Sequence, residues 1–273
     1  MRFYAAWICR FVSVDPLFEK YSEISPFVYC ANNPLKYVDP TGMWIEILHG
    51  GENYKYENGQ LYQYQKEGEN IGQWTVFTVE TDRFLEGIQD ALNKINRSVT
   101  GSELIDFFAN DDNSAYIEAT FDYVKGNSID ISGVVNIIYL KDNLTGSEIP
   151  TEAGIQISPF WLDVAHELAH RQDLILDNKT AISEWLRHPD TGEIIPKTEQ
   201  YATKVENQIR ADFGMSLRTH YVRQGEGVWE NSRVLDSNRK NGLFGVNYFT
   251  GELYIPRLKT PAMSTPSLLN LKR

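Results

Sequence analysis

Cysteine is scarce in this chain, with Cys9 and Cys30 the two thiols among 273 residues. Two thiols build neither a disulfide framework nor a second metal site, so a packed core must hold the fold. Positive charge is short as well: 26 Lys and Arg face 37 Asp and Glu, for a formal charge of −11. A nucleic acid held through its phosphates would start from net repulsion, which disfavours that class of partner. No run of 18 apolar residues occurs, so no membrane-spanning helix is expected. Residues Met1 to Cys9 are briefly apolar but lead into no small-residue cleavage site, and are not read as a signal peptide. Internal repeats, low-complexity tracts and long linkers are also missing. What is present is an ordinary soluble composition, 42% hydrophobic and 12% aromatic, and a length that suffices for one good core plus an appendage.

Against that background one segment stands out, Val164-Ala165-His166-Glu167-Leu168-Ala169-His170. It spells H-E-x-x-H inside a helical pattern. Residues four apart share a helix face, so His166 and His170 can converge on one metal ion. Glu167 projects about 100° round the helix from His166 and can reach a metal-bound water without ligating, the position of a general base. Ser158 is the expected N-cap and Pro159 the first helical residue. An apolar stripe follows through Phe160, Trp161, Val164, Ala165, Leu168 and Ala169, and Asn178 is a plausible stop. The pattern points to a Zn²⁺ hydrolase.

Catalytic zinc takes three protein ligands and leaves a position for water, so a third ligand is needed. Asp173 shares the face of the two histidines, but the three residues span about 10 Å and cannot bind one ion. Asp173 is therefore expected to support a ligand or to face solvent. The next helical pattern, Thr198 to Arg210, follows the breaker Pro196 and ends near Gly214. It aligns Glu199, Ala202 and Glu206, and the small Ala202 lets another helix approach. The glutamates stand about two turns apart, so only one can bind the ion. Glu199 is favoured as the third ligand, with Glu206 orienting a histidine; Glu206 as ligand is the alternative. Beyond Gly214, Arg218 and Tyr221 are candidate donors to a developing oxyanion. His220 is less attractive as a ligand, and His49 and His188 sit in loop-like sequence where a solvated histidine is expected.

Taken together, the H-E-L-x-H helix, a helix of form E-x-x-A-x-x-x-E-N-x-x-R and a following G-x-x-x-R-x-x-Y resemble the zinc metallopeptidase effectors of enteropathogenic bacteria and toxin domains at the C-termini of polymorphic toxins. The matching residues are His166, Glu167, His170, Glu199, Ala202, Glu206, Asn207, Arg210, Gly214, Arg218 and Tyr221. The R-x-x-Y element is also similar to one in clostridial neurotoxin light chains, which are gluzincins. The family helix often opens with two adjacent acidic residues, whereas here Thr198 precedes Glu199. The resemblance implies zinc on His166, His170 and Glu199, catalysis by Glu167 with Tyr221 and Arg218, and a protein or peptide substrate.

A second resemblance lies at the amino terminus. Arg10 to Leu17, Ser25 to Pro34 and Tyr37-Val38-Asp39-Pro40-Thr41-Gly42 resemble the Rhs repeat-associated core, which ends a toxin-encapsulating shell and precedes a variable toxin. Asp15 and Asp39 fall at family positions, yet the long upstream repeats are missing, so self-cleavage of this chain is not expected, although a cut near Met43 in a parent protein is conceivable. This resemblance implies an exported or delivered bacterial toxin with a cognate immunity protein; secretion is favoured over a cytoplasmic location.

These readings combine into an α+β, zincin-like metallopeptidase. The expected organisation is an Rhs-type segment over residues 1–43, β-hairpins over 44–80 as connector, the peptidase over 81–255 and an extended tail over 256–273. Asn58-Gly59 marks a hairpin, helices are expected at 81–96 and from the capping box Thr100-Gly101-Ser102-Glu103, and strands at 115–124, 133–140 and 154–157. Two other readings stand beside this one: a non-catalytic Rhs-associated binding module, and a zinc hydrolase acting on a non-peptide amide or ester.

Overall fold

The structure is a computed structural model that describes residues 4–5, 10–11, 44–78, 82–109, 113–120, 127–129, 137–236 and 245–257. Most of the Rhs-like segment, the ends of the expected strands at 115–124 and 133–140, and the tail beyond Arg257 lie outside the described residues. Within residues 1–43 the description covers one short antiparallel pair, β1 (Tyr4–Ala5) with β2 (Arg10–Phe11).

The alternating stretch after Met43 forms an antiparallel meander, β3 (Trp44–His49), β4 (Glu52–Glu57), β5 (Gln60–Tyr64) and β6 (Trp74–Phe77). Asn58 and Gly59 join β4 to β5 with φ of 51° and 83°, the left-handed pair that a two-residue hairpin needs. Two helices follow, α1 (Arg83–Ile95) and α2 (Val99–Phe108), and then β7 (Ser114–Thr120), β8 (Ser128–Ile129) and β9 (Ile137–Lys141). The strands form one mixed seven-stranded sheet in the order β6-β5-β4-β3-β7-β9-β8, with β7 parallel to both β3 and β9. The hairpin stretch is thus the antiparallel half of the same sheet that carries β7 and β9. The architecture is mixed α+β.

The second half of the chain begins with a hairpin, β10 (Glu148–Thr151) and β11 (Gly154–Ile157), leading into the long helix α3 (Phe160–Leu176) and one turn, α4 (Asn178–Ala181). A second hairpin, β12 (Glu184–Arg187) and β13 (Ile194–Pro196), feeds α5 (Thr198–Asp212). Gly214, at φ 66°, closes α5 as Met215 N–H reaches back 2.8 Å to Arg210 O. The chain then runs through β14 (Arg223–Gln224) and β15 (Gly227–Val228) to a small sheet of β16 (Leu235–Asp236), β17 (Gly245–Asn247) and β18 (Leu253–Tyr254).

A main core joins the large sheet to the helices, and a second cluster of Ala211, Leu217, Leu235 and Tyr254 packs the small sheet on the end of α5. Ile45 and Ile47 of β3, Ile117 of β7 and Ile138 of β9 share the main core with Ile88 and Leu92 of α1, Leu162 and Leu168 of α3, and Ala202 and Ile209 of α5. Period-2 alternation buries Ala115 and Ile117 of β7 and the 3.6 period buries one stripe of α1, whereas β4 is buried on both faces and α3 on all sides from Leu162 to His170. Two expected caps move. Ser98, not Thr100, caps α2 by accepting from Gly101 N–H at 2.8 Å, while Thr100 bonds Asp212. Pro159, not Ser158, holds the cap position of α3 without a side-chain bond, because Ser158 instead accepts from Arg210. Arg257, at the start of the expected extended tail, is tied to Asp212 and Thr100.

Candidate metal centre

Helices α3 and α5 pack face to face, with Ala202 fully buried between them. That contact brings four chemical groups together. His166 and His170 lie one turn apart on α3, both buried, with ring centroids 4.6 Å apart and planes at 85°. Glu199, in the first turn of α5, places Oε2 3.1 Å from His166 Nε2 and 3.1 Å from His170 Nε2. Ligand atoms of His166, Glu167 and His170 also fall within 4.8 Å of one another. Two imidazole nitrogens and a carboxylate oxygen converging on one point are a donor set suited to Zn²⁺.

The far side of each imidazole is held. His166 Nδ1 lies 3.1 Å from Glu206 Oε2, so in the neutral, ligating tautomer Nδ1–H donates to that carboxylate and Nε2 presents its lone pair to the centre. His170 Nδ1 lies 3.1 Å from Thr198 Oγ1. In the tautomer whose Nδ1–H donates to the Thr198 oxygen, His170 likewise presents Nε2. Glu199 and Glu206 therefore differ by which ring nitrogen they meet. Glu199 faces the converging nitrogens, and Glu206 stands behind one of them.

Glu206 is itself anchored. Its Oε1 accepts from Arg210 Nε at 2.7 Å and its Oε2 from an Arg218 guanidinium nitrogen at 3.2 Å. Buried Arg210 reaches on to Ser158 Oγ at 2.8 Å, which ties α5 to the entry of α3. Burial opposes the Glu206 carboxylate, yet Arg210, Arg218 and His166 together hold it well below the usual carboxylate range. Burial also pushes the His166 imidazolium down, but Glu199 and Glu206 outweigh it and carry its pKa to about 10. Glu199 is held well below its ordinary value against burial by His170 and His166.

Glu167 is the exception. Its carboxylate is buried, Oε2 has no hydrogen-bond partner among the described residues, and burial pushes its pKa up to about 7 despite the pull of His170 and His166. A buried carboxylate with one oxygen unpaired beside convergent imidazoles is chemically suited to accept a proton.

The segment after α5 returns over the site because Asn207 clamps it. Arg218 N–H donates to Asn207 Oδ1 at 2.7 Å and Asn207 Nδ2 donates to Arg218 O at 2.9 Å. Arg218 is buried and spends its guanidinium on Glu206, Tyr221 O and His220 O, its carbon 4.7 Å from the Tyr221 ring centre. Burial, followed by the nearby Glu199 charge, pushes the Tyr221 hydroxyl well above the usual phenol range. Tyr221 thus stands near Glu199, whereas the Arg218 guanidinium turns to Glu206.

The other histidines lie elsewhere. His49 ends β3, pairs with Asp82 at 2.8 Å and stacks on Phe84, so it is half-buried and engaged rather than solvated. His188, in the β12–β13 turn, accepts from the N–H of Asp190 and Thr191. His220 faces Glu230 at 3.5 Å. Two supports escaped the sequence reading. Thr198 offered no signal beyond preceding Glu199, and the Arg210–Ser158 bond joins residues 52 apart. Two cavities, of about 550 Å³ beside Lys94 and Trp161 and about 290 Å³ beside Tyr56 and Phe108, are lined by neither histidine, so the centre rests on its donor geometry.

No family model, curated protein or solved structure matches the chain.

Proposed function

We propose that this chain is a Zn²⁺-dependent endopeptidase with a zincin-like catalytic unit, in which His166, His170 and Glu199 hold the metal, and that it is the toxin or effector behind an Rhs-type segment at residues 1–43. The observation that carries the reading is one carboxylate oxygen 3.1 Å from two imidazole Nε2 atoms whose Nδ1 positions are both engaged. The Rhs resemblance carries the toxin role. When bound, zinc supplies Lewis acidity, acidifying a water and polarising a carbonyl.

The residues of the chain do the rest. Glu167, buried and unpaired at Oε2, accepts the proton of the attacking water and passes it to the departing amine. Tyr221, held over the centre by Asn207 and Arg218, donates its hydroxyl to the carbonyl oxygen as negative charge develops there. Glu206 and Thr198 keep the imidazoles in the ligating tautomer. Arg218 is a positioning residue, through Glu206 and Tyr221.

Metal content of the purified protein, measured by mass spectrometry, tests this directly. About one zinc per chain, lost in His166→Ala and Glu199→Ala but only weakened in Glu206→Ala, is the expected result. Absence of zinc after reconstitution overturns the reading and leaves a binding module as the better account.

A further inference from the structure

Tyr221 is the innermost ring of an aromatic run that leads from the metal centre to solvent. Trp185 lies against it with centroids 6.0 Å apart and planes at 55°. Phe249 meets Trp185 edge-on at 5.5 Å, and Tyr248 meets Phe249 at 5.3 Å. Exposure grows outward, from half-buried Tyr221 and Trp185 to 43% at Phe249 and 54% at Tyr248. None of the four belongs to a core cluster of the described residues, so packing of the core does not account for them.

The rings come from three separate parts of the chain, and each part is tied down. The hairpin carrying Trp185 is closed by Lys197 N–H donating to Ser183 O at 2.9 Å, two residues before Glu199. The turn carrying Phe249 is held by Asn247, whose Oδ1 accepts from Phe249 and Thr250 N–H at 2.9 and 2.8 Å. Asn247 Nδ2 is fixed in turn on the Tyr254 hydroxyl at 2.7 Å. Lys204 of α5 pairs with Glu252 at the end of that same turn. The wall therefore holds a set position relative to Glu199. Edge-on contacts leave ring faces open to another ring, and an apolar wall beside a few convergent polar groups is the composition of a ligand pocket.

We propose that Trp185 and Phe249 form a specificity subsite that receives an aromatic or large aliphatic side chain of a peptide substrate, at a residue flanking the scissile bond. The inference rests on the peptidase reading above. Continuity with Tyr221 places the occupant beside the reacting carbonyl, and the rings offer no charge to a polar side chain.

The test is cleavage of a peptide library, randomised about a central bond, by the full zinc-reconstituted chain. Products should show Phe, Tyr, Trp, Leu or Met at one fixed position beside the cut. Phe249→Ser should lower kcat/KM for aromatic peptides roughly tenfold, mainly through KM, with little change for Ala at that position. Trp185→Phe serves as a milder second variant that keeps a ring in place. Cleavage without a flanking preference, or a preference ratio unchanged in both variants, overturns the subsite and leaves the hydrolase standing. No cleavage of any library member, with Glu167→Gln indistinguishable from the unaltered chain, overturns the peptidase reading and the subsite with it.

Discussion

Glu167, Glu199 and Glu206 sit within one small volume, yet the proposed function gives each carboxylate a different task, and amide substitutions separate them. Glu167→Gln keeps the shape and removes the proton acceptor. Peptide hydrolysis should fall roughly 10²–10⁴-fold with zinc still bound, read from kcat beside metal content. Glu199→Gln should release the metal. Glu206→Gln should weaken zinc about 10–100-fold by loosening His166. It should also cost the metal-free protein about 3–5 kcal/mol in urea unfolding, because Arg210 and Arg218 lose their shared buried carboxylate. Equal metal loss in both variants, with no stability loss in Glu206→Gln, would contradict the division between ligand and support.

At the scale of elements, the site depends on how α5 and the segment after it are joined. Asn207→Ala leaves the N–H and C=O of Arg218 without their partner, an expected cost of about 1–3 kcal/mol. Because the same clamp positions Tyr221, kcat should fall while zinc content holds. His220 bridges that segment to Arg233, and burial lowers its pKa although Glu230 pulls the other way. The unfolded chain then takes up the His220 proton more readily than the folded one, so stability is lost as pH falls through the unfolded value of about 6.5. Thermal midpoints between pH 7 and pH 5 should drop further for the unaltered protein than for His220→Gln. Equal drops would sink this account.

For the whole molecule, the proposed function couples metal and fold without making them the same thing. The seven-stranded sheet, α1 and α2 pack with α3 through apolar contacts that need no ion. Chelation should therefore lower the melting temperature while leaving far-ultraviolet circular dichroism at 25 °C unchanged. Adding zinc at about 100 times its dissociation constant should restore roughly 2.7 kcal/mol. His166→Ala should show neither effect. Loss of secondary structure on chelation would mean that the metal, rather than the core, holds α3 against α5.

Local signals were legible wherever the chain's chemistry is local. The spacing of His166 and His170, the hairpin at Asn58-Gly59, the α1 stripe and the stop at Gly214 all follow from helix period or backbone freedom within a few residues. The caps at Ser98 and Pro159 were less legible, since neighbouring Thr100 and Ser158 offer the same hydroxyl and a distant partner, Asp212 or Arg210, decides its use. By itself the sequence determined the α+β class, the histidine pair and the two glutamates that face it at helical spacing. Only the tertiary structure decided that Glu199 meets Nε2 while Glu206 meets Nδ1, that Arg218 spends its donors inward, and that Trp185 and Phe249 continue from Tyr221. The physical reason is that these are contacts between elements, set by how α3 and α5 cross, and helical periodicity carries no information about the rotation of one helix against another.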